Sequence, residues 1–343
     1  MASIFPAQAK VHPSFSEPEL IVQYFQASGA FATLYEGKPR VRMGAEDLYV
    51  YVNKLDIRSQ STGAQSAVDF LPSAALQAEY LSTQTYLLRT NAIYDRHDIA
   101  AAARYDVGLP FAQELAMRQG IFQQMRSMLL YGYNAANNEG ILNAQGITQT
   151  TLPPDSLSNT TVQSYQNGDM ALFLLQQIVE IKTRMFQSGA YVNNKIVILS
   201  PQREFLQMQY GDIVEVVNYQ RPGGGTSTVA EVVKTVAAEA GDSIEWYYDD
   251  TLIGQGSGGT DAVVIIIPEV ERPVIPGINT NVFGAELEPA TTAVSVMYND
   301  VAAPIKISTP VPDGAVREVL ELRSTSGWIW RAEGVTVVSM PYT

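Results

Sequence analysis

Residues 46–94 constrain what this chain can become more than any other stretch. Leu48-Tyr49-Val50-Tyr51-Val52 alternates along an extended run that continues to Ile57. A polar tip follows, Ser59–Ala67 (SQSTGAQSA), and a second extended section runs through Tyr80-Leu81 to Tyr86-Leu87-Leu88. Alternation of period two predicts strands. Limbs of this length around a Gln/Ser/Gly tip exceed what a tight turn needs. A lone hairpin is marginal in water, so such limbs need a second surface. An ordinary surface hairpin satisfies the pattern; so does an arm that reaches another subunit. On the second reading Tyr49, Tyr51, Lys54 and Arg58 are the candidate assembly-interface residues.

The flanking segments sort by composition and period. Residues 1–45 mix Pro, Ser, Gly and aromatics and read as an extended arm, with Glu17–Ala32 as a short amphipathic helix. Residues 46–94 form the extended loop. Residues 95–139 are helical in period. Asp95 or Asp98 caps Ile99–Tyr105, and Gly108-Leu109-Pro110 breaks it. A main helix then runs from Phe111 to Tyr131, with Phe111, Leu115, Phe122, Met125 and Leu129 on one face. At 1.5 Å per residue it is about 30 Å long, enough for the spine of a domain. A turn-rich junction follows, NNEGILNAQGITQTTLPPD (137–155).

Residues 140–291 read as a compact α/β region. Asp169–Gln187 is an apolar helix with Leu172, Leu175, Val179 and Phe186 as expected core contacts, and Gly189 stands at its C-cap. Lys195–Leu199 is a buried strand, and Ser200-Pro201 opens a helix through Met208 with Ser200 as N-cap. Thr228-Val-Ala-Glu231 is a capping box for a helix ending at Gly241. Ile244–Tyr248 and Ala262–Ile267 are strands, and residues 292–343 are β-rich.

Chemistry is sparse along this chain. With no cysteine, disulfides, thiol catalysis and zinc–cysteine sites are excluded. His12 and His97 have no partner at ligand spacing, so no metal or cofactor is expected. The glycine clusters RPGGGTST (221–228) and GQGSGGTD (254–261) lack the lysine of a phosphate loop and read as surface loops. Tyr247-Tyr248-Asp249-Asp250 resembles a polymerase carboxylate pair only superficially; a strand end and turn is the simpler reading. Asp56, Glu114 and Glu204 could pair as in a glycosidase, which sequence spacing does not settle. The formal net charge of −13 disfavours an electrostatic grip on nucleic acid or anionic lipid. No signal peptide is expected, and the apolar run Ala262–Ile267 is too short to cross a bilayer, so a cytoplasmic product is expected.

The order of parts resembles the major capsid proteins of tailed bacteriophages, the Hong Kong 97-type coat fold. GILNAQGIT (140–148) is similar to the stretch that leaves the spine in such coats. NNKIVILSPQREFLQM (193–208) is similar to the strand–Ser/Pro–helix of their axial domain, and SGWIWRAEGVTVVSMPY (326–342) to the closing strand pair of their peripheral domain. The resemblance implies an α+β fold. Its parts are an N-terminal arm (1–45), an extended loop (46–94), the spine helix of a peripheral domain (95–139), an axial domain (140–291) and a β-rich return to the peripheral domain (292–343). It implies a non-enzymatic coat that self-assembles into hexamers and pentamers, on a T=7 lattice by family precedent. The shell would enclose double-stranded DNA without sequence-specific binding.

The same resemblance places assembly in the bacterial host cytoplasm and the product in the virion capsid. It names a separate scaffold protein, a portal and a decoration protein as partners, and no membrane. Some relatives crosslink a loop lysine to an asparagine, for which Lys54 and Asn299 are the candidates here. Two other readings share the sequence: an encapsulin-like bacterial nanocompartment, and a cytoplasmic carboxylate-dependent hydrolase.

Overall fold

A computed structural model of the chain describes residues 28–58, 75–103, 108–187, 195–213, 227–270 and 294–343. The expected helix from Glu17 as far as residue 27, the Ser59–Ala67 tip, Gly189, His12 and residues 221–226 lie outside them. In chain order the main elements are β1 (Tyr49–Arg58), β2 (Ala75–Tyr94), α1 (Arg96–Ala103), α2 (Leu109–Tyr131), β3 (Thr148–Thr151), α3 (Asn167–Gln187) and β4 (Lys195–Ser200). They continue as α4 (Gln202–Tyr210), α5 (Val229–Glu239), β5 (Ser243–Tyr248), β6 (Asp261–Ile266), β7 (Ile305–Val311), β8 (Ala315–Thr325) and β9 (Val335–Met340).

The chain divides into two compact units. The described part of the first is Arg89–Phe122 and Ile305–Glu321. Here β7 pairs antiparallel with β8, from Ile305↔Glu321 to Val311↔Ala315. Asp95 caps α1, its Oδ1 accepting from the backbone N–H of His97 and Asp98. Lys306 Nζ donates to Glu114 at 2.9 Å and pairs with Glu318 at 3.2 Å, while Arg118 pairs with Glu114 one turn along α2. Glu114 is thus bound by two cations, not set opposite a second carboxylate as hydrolysis would need.

The second unit holds the remaining described residues and the main core. Its five-stranded sheet has the order β3-β9-β6-β4-β5. β3–β9 and β4–β5 are parallel, and β9–β6 and β6–β4 antiparallel. Every residue of β6 and β9 is buried, as is β4 after Lys195. Their largely apolar runs, interrupted by Ser200, Asp261, Thr336 and Ser339, are what strands covered on both faces require. Val335–Met340, expected with the peripheral return, pairs with Thr148–Thr151 and Asp261–Ile266 of this α/β sheet. Thr228 caps α5 as expected, its Oγ1 accepting from Glu231 N at 3.3 Å, and Gly241 follows the helix with φ +85°.

Three expectations are corrected. On α2 the buried stripe is Met117, Ile121, Met125 and Met128, leading into Leu129; Phe111 and Phe122 are exposed and Leu115 only half-buried. Large apolar residues occupy more than one side of this helix, so period alone did not select the face. On α3, Met170, Phe173, Leu174, Ile178, Ile181 and Met185 enter the core. Leu172 and Val179 are 64% and 61% exposed and Leu175 half-buried, while the Phe186 side chain lies outside the described residues. Ser200 ends β4 instead of capping α4, whose N-cap is Pro201 with no side-chain cap bond. The Ser200 hydroxyl accepts from Trp246 Nε1 at 3.0 Å.

Candidate assembly surface

The hairpin of β1 and β2 builds the surface that the sequence singled out. Its register runs Tyr49↔Gln84, Tyr51↔Ser82, Asn53↔Tyr80, Lys54↔Glu79 and Arg58↔Ala75. Opposed residues share a face and neighbours alternate, so Tyr49, Tyr51, Tyr80, Ser82 and Gln84 fall on one side. The three tyrosines are 53%, 64% and 70% exposed, and the Tyr49 and Tyr51 rings lie 6.3 Å apart. On the other side Val50, Val52 and Leu81 are half-buried and Thr83 and Thr85 are buried. One face therefore rests on the subunit, and the other presents an uncharged aromatic stripe. Lys54 and Arg58 sit further out on β1; their backbones pair with β2, and their side chains lie outside the described residues.

The base of the hairpin is tied down. Thr85 donates to the Asp47 carbonyl at 2.6 Å, and Arg323 Nη1 reaches both that carbonyl and Thr85 Oγ1 at 3.2 Å. Thr83 Oγ1 donates to Glu139 Oε1 at 2.8 Å, and Asn137 Nδ2 to the Tyr86 hydroxyl at 2.8 Å. Tyr86 stacks on Tyr133 at 4.2 Å. Burial, and then the Glu139 carboxylate beside it, raise the Tyr86 phenol above its ordinary pKa and keep it a neutral donor. None of these base residues was singled out by the sequence. The only signal was the clustering of Asn137, Asn138, Glu139 and Gly140 after the helix.

That cluster also finishes α2. A helix end leaves four carbonyls without partners. Here Met128 O accepts from Gly132 N and Gly327 N, Leu129 O from Ile141 N, Leu130 O from Leu142 N, and Tyr131 O from Asn143 Nδ2. Gly132 and Gly140 have φ of +74° and +88°, and a Cβ on Gly140 would lie 2.2 Å from Gly132 N. The junction closes on itself more tightly than any side chain permits. Its turn-rich composition follows from its work, which is to turn the chain and satisfy the helix.

Other chemical candidates resolve as structure. Asp249 accepts from Thr251 N, Thr251 Oγ1 and Ser28 Oγ, and Asp250 Oδ1 from Gln202 N. Asp249 thus caps the turn that follows it, and Asp250 accepts from the first residue of α4, forty-eight positions away in sequence. Asn299 is buried, its Nδ2 donating to Thr325 O at 2.6 Å, which removes it from reach of a neighbour's lysine. Among the described residues no group of three His, Asp or Glu side chains could hold a metal ion, and no helix is long and apolar enough to cross a membrane.

No protein-family model and no curated protein matches the chain. Solved structures do. The capsid of Myoviridae phage XM1 matches with a TM-score of 0.67 at 11% identity, over 95% of this chain and 96% of that one. The capsid of a native GTA particle matches with a TM-score of 0.56 at 10% identity, over 97% and 96%. The capsid of cyanophage P-SCSP1u matches with a TM-score of 0.54 at 13% identity, over 100% of both chains.

Proposed function

We propose that this chain, which has the α+β, Hong Kong 97-type fold of those capsids, is a major capsid protein that self-assembles into the icosahedral shell of a tailed phage. The observation that carries the reading is the end-to-end match to phage capsids, with little chain left over on either side. A fold alone does not fix a function. The second support is therefore local: a hairpin anchored at its base and presenting an aromatic, uncharged stripe outward. Tyrosine offers large contact area at low conformational cost, the composition expected at a protein interface. The stripe would seat on another copy of the chain with Tyr49 and Tyr51 as anchors, and Lys54 and Arg58, at the alternate positions of β1, would contact it from the hairpin's other side. Heterologous contacts of this kind close rings, here hexamers and pentamers.

The domain limits proposed are an arm at 1–45, extended loop at 46–94, spine at 95–139, axial domain at 140–291 and return at 292–343, the last strand of the return, Val335–Met340, being seated in the sheet of the axial domain. The protein acts without catalysis, residing in the virion capsid after assembly in the host cytoplasm. A separate scaffold protein, a portal and a decoration protein are its further proposed partners. The packaged DNA would be enclosed without sequence recognition, in keeping with the net charge of −13.

Negative-stain imaging of the purified full chain tests the shell reading, and shells of uniform size are expected. A discrete small oligomer would overturn it. Shells filled with a cargo enzyme instead of nucleic acid would move it to the encapsulin-like reading.

A further inference from the structure

Glu204 and Asp261 lie apart from the hairpin and serve no purpose in the reading above. Glu204 is in the first turn of α4, Asp261 begins β6, and both are buried. Asp261 is well supplied with donors: Arg203 Nε and Nη2 reach Oδ2 at 2.6 and 2.5 Å, and Gly254 N reaches Oδ1 at 2.9 Å. Apart from Glu204's own backbone N–H, no N–H or hydroxyl of the described residues donates to either Glu204 oxygen at hydrogen-bond distance, and Arg203 Nε stands 3.6 Å from Oε1. The groups facing the pair are thus Arg203 on α4 and, over the guanidinium at 4.3 Å, the Tyr342 ring. One partly exposed cation cannot neutralise two buried carboxylates.

We propose that Glu204 and Asp261 share a single proton, carried on Glu204 and donated to Asp261, as a latch that holds the glycine loop 254–260 against α4. A carboxylic acid at Glu204 turns two opposed acceptors into a donor and an acceptor, and so accounts for the missing donor. The latch reaches three segments. Asp261 fixes Gly254, where the loop begins with φ +72°; Arg203 covers Tyr342; and Ser257 N donates to Ser339 Oγ. Hydroxide removes the shared proton as water and leaves two like charges in contact.

Burial first, then the bond to Asp261, push the Glu204 carboxyl up to about 9. Burial alone would also raise Asp261, but its bonds from Glu204, Arg203 and Gly254 hold it below the usual carboxylate range. Glu204 is raised in the folded state. Its contribution to stability is therefore complete below the ordinary glutamate value and is lost as pH rises to about 9.

Infrared spectra and melting curves of the full-length protein and its Glu204→Gln variant test the latch. The wild type should show a protonated-carboxyl carbonyl band near neutral pH that fades around pH 9, and the variant should lack it. The melting temperature of the wild type relative to the variant should fall steadily from about pH 5 to about pH 9 and then level. Absence of the band at neutral pH would overturn the proposal, as would its persistence in the variant or parallel melting curves. Should the variant fail to fold, the wild-type band decides alone.

Discussion

A Cβ on Gly29 would lie 2.3 Å from the Cβ of Tyr247 and 3.2 Å from Leu199 Cδ1, on backbone pinned by a Gly29 N–H bond to Tyr248 O at 3.0 Å. The next residues, Ala30, Thr33 and Leu34, are buried, so this short segment plugs one end of the α/β core. Gly29→Ala should therefore cost about 1–3 kcal/mol of unfolding free energy, as other overpacked cores do; chemical denaturation showing no loss would refute the plug. Residue-scale detail was the least legible part of the sequence. Ser200-Pro201 carries the signature of a helix cap, yet the Ser200 hydroxyl is committed to Trp246, forty-six positions along. A local rule gives way when a distant side chain offers the same oxygen a better-buried partner.

At the scale of elements, helices and strands were legible where period and punctuation agreed. The capping box at Thr228 and the strands 195–199 and 262–267 lie where continuous apolar runs and turn residues put them. Helix faces were less legible. Both α2 and α3 carry apolar residues on more than one side, and only packing chooses which stripe goes in. For α3 the choice is testable with two neighbours in sequence on different faces. Leu174 is fully buried and Leu172 mostly exposed. Leu174→Ala should cost roughly 2–5 kcal/mol, whereas Leu172→Ala should stay within about 0.5 kcal/mol. Equal losses in urea melts would mean that the helix is rotated.

The hairpin makes the complementary test. Its outward tyrosine stripe contributes little to the core of its own subunit, so Tyr51→Asp should leave the circular-dichroism melt unchanged. The same charge should lower particle yield several-fold, because a buried unpaired carboxylate is costly at an interface. Normal yield would make the stripe a bare surface. Loss of the fold would make it core.

For the whole molecule, the architecture was legible in the order of its parts, but strand pairing was not. Residues 335–340 were expected beside their sequence neighbours, and they pair with strands 148–151 and 261–266. Period-two patterns reveal that a segment is a strand and say nothing about its distant partner. Charge acts at this scale too. Thirty-five acidic against twenty-two basic residues make every copy repel every other, and salt screens that repulsion. Light scattering from purified subunits should show faster assembly at about 0.5 M than at about 0.05 M salt, where the screening length is several-fold greater. Slower assembly in salt would point to ion pairs, not apolar contact, as the glue.

The place of β9 has a consequence for synthesis. It lies between β3 and β6, hydrogen-bonded on both sides, with every residue buried. A ribosome must therefore make the flanking strands long before the one that joins them, and β3 has no place on the nascent sheet until residues 335–340 emerge. Folding of this unit is then held back until residues 335–340 have been made. Copies on one polysome cannot present a finished surface to each other while still tethered. A stop codon placed just before Val335 should yield chains that proteases clear, not slightly shortened shells.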